Sequence, residues 1–241
     1  MPGPPAQQWE RALAGRRAAS KGRSLLVAGG SLSPQTRALV HGINAYLGNI
    51  GATVTPIAPV EALPLNHGGS IAALARDMHG GAVKALVIIG ANPVYDAPAG
   101  LDFAGALAKV PFSAHLGLYR DETGRRARWH LPQASDYEQW SDGRAFDGSA
   151  SIIQPAIMPL YGGRSAHELV ALLARDTERN PYALVRRYWR SQRAGDFDAF
   201  WERALRAGVI ERSAAVPFRL PGPARPDLAP PAALQDSGLH A

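Results

Sequence analysis

The segment Lys84–Ile89 constrains the fold more than any other stretch of this 241-residue chain. After Lys84 come five consecutive apolar residues, ALVII, of which three are β-branched. A continuous apolar run of this length is typical of a strand that is covered on both faces, as strands in parallel sheets are. Gly90 ends the run in a loop. The segment therefore predicts a buried strand of an α/β fold.

Strand-like and helix-like segments alternate along most of the chain. Short apolar or β-branched runs predict five strands, at residues 24–28, 53–57, 84–89, 112–116 and 129–131. Apolar residues at helical spacing predict helices between and after them, starting at Ser33 and at residues 71, 102, 165, 182 and 196. This alternation predicts an α/β fold with a mainly parallel, doubly wound sheet, followed by C-terminal helices.

Changes in amino-acid composition and residue pattern along the chain predict four parts. Residues 1–23 are expected to be a linker or a truncated edge, apart from a possible short helix at 9–19. Residues 24–175 form the α/β domain, and residues 176–216 form a helical extension. Residues 217–241 are rich in Pro and Ala, so a disordered tail is expected there. The polar stretch 133–148 inside the α/β domain reads as a long loop.

Composition excludes several classes of function. The chain has no cysteine, so it holds no disulfide, thiolate zinc site or cysteine-ligated iron–sulfur cluster. The net charge is +6, and many of the arginines lie between Arg175 and Arg225 among acidic residues. This spacing indicates an ion-paired, solvated face, so a nucleic-acid partner is not expected. No run approaches the roughly 18 apolar residues of a membrane span, and the start lacks the apolar stretch of a secretory signal.

Two loops that follow strands are candidate cofactor-binding sites. The turn Gly29–Gly30–Ser31 precedes a helix, whose N-terminal N–H groups favour anions, although two adjacent glycines also suit an ordinary tight turn. Gly90, Asn92 and Pro93 follow the best strand at its carboxyl end, where open α/β sheets bind ligands. Asn before Pro is equally a routine turn signal. Both interpretations stay open for each loop.

Histidines and carboxylates offer weaker candidates. His115 and His130 lie in two successive predicted strands, but no HxxxH or HxH spacing indicates a metal, and structural roles are favoured. Four acidic residues in the predicted long loop could do acid–base chemistry or simply keep the loop soluble: Asp136, Glu138, Asp142 and Asp147. No nucleophile elbow or P-loop lysine pattern is present, so no catalytic residue and no metal ligand is predicted.

Several motifs carry a resemblance to a known family. They are GANPVY from Gly90, HLGLYRDET from His115, WHLP from Trp129, W-x-D-x-R-x-F-D-G from Trp140, and QPAIMPLYGGRSAHEL from Gln154. With them, residues 24–210 resemble the molybdopterin-oxidoreductase-like region of the iron–sulfur (B) subunit of bacterial alternative complex III, a quinol-oxidising respiratory complex. Compared with that subunit, the chain looks like a C-terminal fragment or one product of a split gene.

The resemblance implies a function within an assembly. In molybdopterin enzymes a GxNP loop at this place lies near the guanine dinucleotide of the cofactor, which maps onto Gly90, Asn92 and Pro93. Relatives in alternative complex III are similar in fold but lack molybdenum; the complex carries iron–sulfur clusters and haem on other parts. The leading hypothesis is therefore a non-catalytic structural and docking part of such a complex, with no cofactor in this chain and other subunits as partners.

Two further expectations belong to this hypothesis. The aromatic side chains of Trp189, Phe200 and Trp201 are expected to be exposed and to contact partner subunits. The resemblance places the assembled subunit at the extracytoplasmic face of the membrane, whereas this chain, without an export signal, is expected in the cytoplasm. The alternative hypothesis is an oxidoreductase domain that binds molybdopterin guanine dinucleotide at Gly29–Ser31 and Gly90–Pro93.

Overall fold

The computed structural model describes residues 5–61, 63 and 65–218, and these residues form two compact units. The first unit contains the chain up to Ala58 and from Ala215 onward; the second contains Pro59–Ala214. The α/β class and the parallel sheet are confirmed. Most of the predicted disordered tail, residues 219–241, lies outside the described residues, and the four-part division of the chain stays a prediction.

The described part of the first unit contains two helices, α1 (Pro5–Ala19) and α2 (Pro34–Tyr46). The predicted start of α2 is confirmed: Ser33 is the N-cap, and its hydroxyl accepts a hydrogen bond from the Thr36 amide. Pro34 fits the first turn because its missing N–H would have no partner within the helix. α1 runs through the segment in which the sequence indicates a short helix.

Two predicted strands are wrong, those at residues 24–28 and 53–57. The first is extended, but a side chain satisfies its backbone: Asn44 accepts from the Leu26 amide at 3.1 Å and donates to the Leu26 carbonyl at 2.8 Å. An amide side chain thus takes the place of a neighbouring strand. The second keeps only an isolated bridge at Val54. Both segments have strand-like composition, which does not say what their hydrogen-bond partners are.

The sheet of the second unit has three parallel strands in chain order, β1 (Ala85–Ile89), β2 (Phe112–Gly117) and β3 (Trp129–Pro132). The register pairs Ile89 with Leu116 and His115 with His130. Consecutive parallel strands bring their carboxyl ends to one edge of the sheet. The loops after the three strands therefore meet at that edge.

Helix α3 (His67–His79) precedes β1. Helix α4 (Pro93–Asp96), a 3₁₀ turn (Ala99–Leu101) and α5 (Phe103–Ala108) connect β1 to β2, and α6 (Glu122–Arg126) connects β2 to β3. Side chains of α3, β1 and α5 form one buried apolar cluster that includes Met78, Ile88 and Leu107. Burying a side chain of this size contributes about 1.5–3 kcal/mol. This cluster packs α3 and α5 against β1.

A second core lies further along the same unit. Its elements are an antiparallel hairpin of β4 (Ser141–Arg144) and β5 (Ala150–Ile153), followed by α7 (Ala166–Leu173), α8 (Pro181–Ser191) and α9 (Phe197–Ala207). Ile152, Val185 and Ile210 pack here with aromatic residues of α8 and α9. We call this the hairpin–helix core. α7 begins with a capping box between Ser165 and Glu168, as its sequence predicts.

Two further expectations are corrected in this region. β4 lies inside residues 133–148, which were predicted to be loop; SDGR has no apolar alternation, so only its pairing with β5 makes it a strand. The expected exposure of Trp189, Phe200 and Trp201 is also wrong. Trp189 and Trp201 are 3% exposed, and Phe200 is partly buried against the hairpin–helix core, because the three lie toward the inward stripe of their helices.

The ion-paired face predicted from the arginine spacing is confirmed on α8. Arg186 and Arg190 both reach Asp198, at 2.5 and 3.3 Å, and Arg187 pairs with Asp176. Exposed pairs of this kind contribute little stability singly, about 0–1 kcal/mol each. These pairs place the carboxylates of Asp176 and Asp198 beside the arginines of α8.

Candidate functional site

A cleft of about 310 Å³ opens at the carboxyl ends of the three parallel strands. It is lined by the β1–α4 turn, the β2–α6 loop and the residue after β3: Gly90, Ala91, Asn92, Asp96, His115, Gly117, Leu118, Tyr119, Asp121 and Gln133. This edge is where α/β sheets bind ligands, so the cleft is the candidate site. Of the predicted site residues, Gly90 and Asn92 line it, and Pro93 is buried beside it.

The turn after β1 has the backbone that a glycine allows. Gly90 adopts φ +62°, a left-handed conformation that strains other residues. Its amide donates to the Leu116 carbonyl at 2.8 Å, which extends the β1–β2 ladder by one bond. The chain then turns sharply into α4, with Pro93 in the first turn of that helix. Gly90 is thus explained by the turn itself.

The Asn92 side chain forms hydrogen bonds with the first turn of α6. Its Oδ1 accepts hydrogen bonds from the Thr123 amide at 3.1 Å and the Thr123 hydroxyl at 2.7 Å. Its Nδ2 donates to Glu122 Oε2 at 2.8 Å, and this bond is the main reason that the pKa of Glu122 lies below its usual range. Thr123 is fully buried and in turn accepts from the Val94 amide. Asn92 therefore joins the β1–α4 turn to the start of α6.

Two histidines meet beneath the cleft. His115 is 1% exposed, and its Nδ1 lies 3.1 Å from His130 Nδ1. His115 Nε2 lies 3.2 Å from the Ala91 carbonyl, which can only accept, so Nε2 carries the proton. With Nε2 as the donor, Nδ1 of His115 is left to accept from Nδ1–H of His130. Burial, with the adjoining His115, lowers the pKa of His130.

Two glycines leave room for this histidine pair. A Cβ at Gly117 would come within 2.4 Å of the His115 ring, and one at Gly124 within 2.9 Å of Nδ1 on both histidines. Such distances cannot be accommodated without moving the rings. The pair is thus enclosed by backbone on two sides. Both His115 nitrogens are occupied, which supports a structural role.

The other predicted candidates lie elsewhere. Gly29, Gly30 and Ser31 are in the first unit, ahead of α2, and no atom lies within 4 Å of a Cβ built on either glycine. The acidic residues of the 133–148 stretch are engaged separately. Asp136 accepts from the Gln139 side-chain amide, Glu138 from the Ser135 and Leu160 amides, Asp142 from the Trp189 indole, and Asp147 from the amide and hydroxyl of Ser149. Within the described residues, no group of three or more metal-ligating side chains converges.

The sequence did contain a signal for the histidine pair. His115 and His130 occupy matching positions in strands that proved to be neighbours, and such partners share one face of a sheet. The registers of strands 112–116 and 129–131 were not known in advance, so the side chains could only be placed near each other. No such pattern indicated the contact between Asn92 and Thr123, because the two residues are 31 positions apart in the sequence.

The lining chemistry does not fit a pyrophosphate-bearing cofactor. Among the described residues that line the cleft there are two carboxylates, Asp96 and Asp121, and neither lysine nor arginine. A cofactor diphosphate would meet negative charge there without a cation to compensate it. Asn92 is the residue expected near the nucleotide, and its side-chain oxygen already accepts two hydrogen bonds from Thr123. No step of catalysis can be derived through such a group here.

Fold and cleft together define an α/β protein whose candidate site lies at the carboxyl edge of a parallel sheet. The chain is 32% identical over 96 residues to the molybdopterin-binding-like subunit of menaquinone reductase from Nitratidesulfovibrio vulgaris (strain Hildenborough). The match covers 38% of this chain and 14% of that relative. It supports a molybdopterin-oxidoreductase-like region. No family model matches the chain, and no helix in its described part is long and apolar enough to span a membrane.

Proposed function

We propose that this chain is a non-catalytic structural and docking part of a membrane-associated respiratory electron-transfer complex. The similar subunit belongs to a menaquinone reductase, which supports a quinone-linked complex with partner subunits. The finer assignment, a degenerate molybdopterin oxidoreductase domain of an alternative complex III, rests on the sequence motifs. In this proposal the iron–sulfur clusters and haem belong to other parts of the complex, at the extracytoplasmic face of the membrane.

One observation carries the docking role: an ordered loop presents large apolar side chains to solvent. We call residues 155–161 the docking loop. Met158 and Tyr161 are 82% and 84% exposed, and Ile157 and Leu160 are also exposed. Monomeric soluble proteins seldom present so many neighbouring apolar side chains, and such patches usually mark interfaces.

The docking loop is held in place rather than left free. The Glu138 carboxylate accepts from the Leu160 amide at 2.9 Å and the Ser135 amide at 2.9 Å, which lowers the pKa of Glu138. The Tyr137 carbonyl accepts from the amides of residues 156 and 157. A loop that is already ordered loses little conformational entropy when a partner covers it. The loop thus replaces the tryptophans of α8 and α9 as the expected contact.

The test is recovery of the tagged chain from solubilised native membranes, with mass spectrometry and iron and molybdenum analysis. We expect recovery together with a cytochrome-bearing, iron-rich, molybdenum-free assembly. Met158→Asp should reduce that recovery at least tenfold, because a buried charge in an apolar interface is costly. Phe146→Asp is the matched control, since Phe146 is 98% exposed but lies outside the docking loop. Recovery of the chain alone would contradict the proposal.

A second candidate function is a molybdopterin guanine dinucleotide-binding domain, and the position of the cleft favours it. The acidic lining speaks against it, as does the engagement of Asn92. Guanine nucleotide binding at micromolar affinity, or recovery of the chain with pterin or molybdenum, would favour this candidate over the docking role.

A further inference from the structure

The cleft at the carboxyl edge of the sheet is rich in hydrogen-bond acceptors that have no donor. Asp96 is exposed, and its carboxylate forms no hydrogen bond or ion pair with the described residues. Asp121 uses Oδ1 to cap α6 through the Gly124 amide, which leaves Oδ2 without a partner in the same part of the chain. Gln133 Oε1 is buried and accepts no hydrogen bond there. All three side chains line one cleft.

The buried amide oxygen of Gln133 is the most informative of these acceptors. An unpaired buried acceptor costs about as much as a lost hydrogen bond, so most are satisfied in folded proteins. No described group donates to it: His115 Nε2 lies 3.2 Å from the Ala91 carbonyl, and Asn92 Nδ2 donates to Glu122 at 2.8 Å. Gln133 Oε1 is therefore available to a donor from outside the chain, such as a bound group.

Aromatic side chains surround this edge of the sheet. Tyr119 lines the cleft and is 78% exposed, and Tyr95, one residue before Asp96, is 74% exposed. Leu118 adds an exposed aliphatic group. Exposed tyrosines are typical of interfaces, where their rings also attract cations.

We propose that the cleft receives an arginine side chain of a partner subunit. This rests on the proposed docking function and names the chemistry of one contact within it. A guanidinium carries five N–H donors in one plane and no acceptor, which matches two carboxylates, an unpaired amide oxygen and an aromatic rim. A lysine would satisfy fewer of these acceptors and stack less well. An anion would be repelled by the two carboxylates of the lining.

None of the arginines among the described residues lines the cleft. Arg120 precedes Asp121 but is exposed, and it faces His130, whose pKa its charge helps to lower. Arg125 acts on Glu122, outside the lining. The acidic cleft is a local exception in a chain of net charge +6, so charge complementarity there is specific to a cationic partner group.

The test uses the full chain and N-acetyl-L-arginine amide as the probe, followed by backbone amide NMR. We expect saturable shifts at Gly90, Gly117 and Gln133. N-acetyl-L-citrulline amide, which has nearly the same shape without the charge, should produce none. Asp96→Asn should weaken binding about threefold to fivefold, the range for an exposed ion pair. Glu202→Gln removes a carboxylate from α9, outside the cleft, and should leave binding unchanged.

Three outcomes would overturn the inference: no shifts at the cleft with the arginine probe, equal shifts with the citrulline probe, or unchanged binding in Asp96→Asn. Saturable binding of GMP at the same amides would also overturn it. Its failure can be told apart from failure of the docking role. If the membrane complex is recovered but the arginine probe produces no shifts, only the proposed arginine contact is refuted. If the arginine probe binds but the complex is not recovered, the docking role is refuted.

Discussion

Replacing Asn92 tests whether its side chain is structural. Asn92→Ala removes the acceptor for two donors of Thr123, an amide and a hydroxyl, and Thr123 is fully buried. Each lost hydrogen bond costs about 1 kcal/mol, and leaving buried donors unpaired adds to this. The loss also resembles removal of a helix cap, since the amide belongs to the first turn of α6. We expect the free energy of unfolding to fall by about 2–4 kcal/mol.

The measurement is urea unfolding followed by circular dichroism, with Thr123→Val as a partner variant. Thr123→Val removes only the hydroxyl, so it should cost about 1 kcal/mol. Because both changes break the same contact, the double variant should be less destabilised than the sum of the two. A loss below about 0.5 kcal/mol in Asn92→Ala, or full additivity with Thr123→Val, would refute the network described for the cleft.

Three other predictions concern the same unit. Gly124→Ala should lower the free energy of unfolding by about 1–3 kcal/mol through a clash with the histidine pair, whereas Gly143→Ala, with no atom within 4 Å, should be nearly neutral in thermal melts. The pKa of Asp176 is lowered to about 2 by Arg187, so its contribution to stability is complete above pH 3.8 and is lost as pH falls toward 2. Arg187→Met should raise that pKa toward 3.8, as carboxyl NMR would show. Burial lowers the pKa of His130 from 6.5, so in proton NMR its ring should titrate at lower pH than a free imidazole, and stability should fall as pH drops below 6.5. An ordinary titration of His130 would contradict the buried pair.

Local patterns were sufficient for much of the fold. The strand after Lys84 and the helix starts at Ser33, Ser165 and Asp196 are as predicted, because each depends on residues adjacent in sequence. The strand expected at residues 24–28 failed because its backbone partner is a distant side chain rather than another strand. Propensity records what suits a pleated segment and does not identify its partner.

The sequence predicted where in the sheet the candidate residue Asn92 lies, but not which hydrogen bonds it forms. Asn92 was assigned to the carboxyl edge of the sheet correctly, since that edge follows from strand order. Its pairing with Thr123 depends on the conformations of two loops, which residue spacing does not determine. The tryptophans of α8 and α9 show the same limit: an aromatic stripe at helical spacing indicates one buried face, and only tertiary packing tells whether a partner or the chain itself covers it.

The hairpin–helix core has a consequence for synthesis of the chain on the ribosome. The Ala150 carbonyl accepts from the Ile210 amide at 2.8 Å, and the Ala150 amide donates to the Ser213 hydroxyl at 2.8 Å. By contrast, strands β1–β3 pair over short separations and can fold as soon as Pro132 has emerged. After Ile153, the last residue of β5, has been synthesised, about sixty more residues are needed before Ser213 clears the exit tunnel. During that interval the inward face of the hairpin is open, so this segment is where a nascent chain would depend most on chaperones.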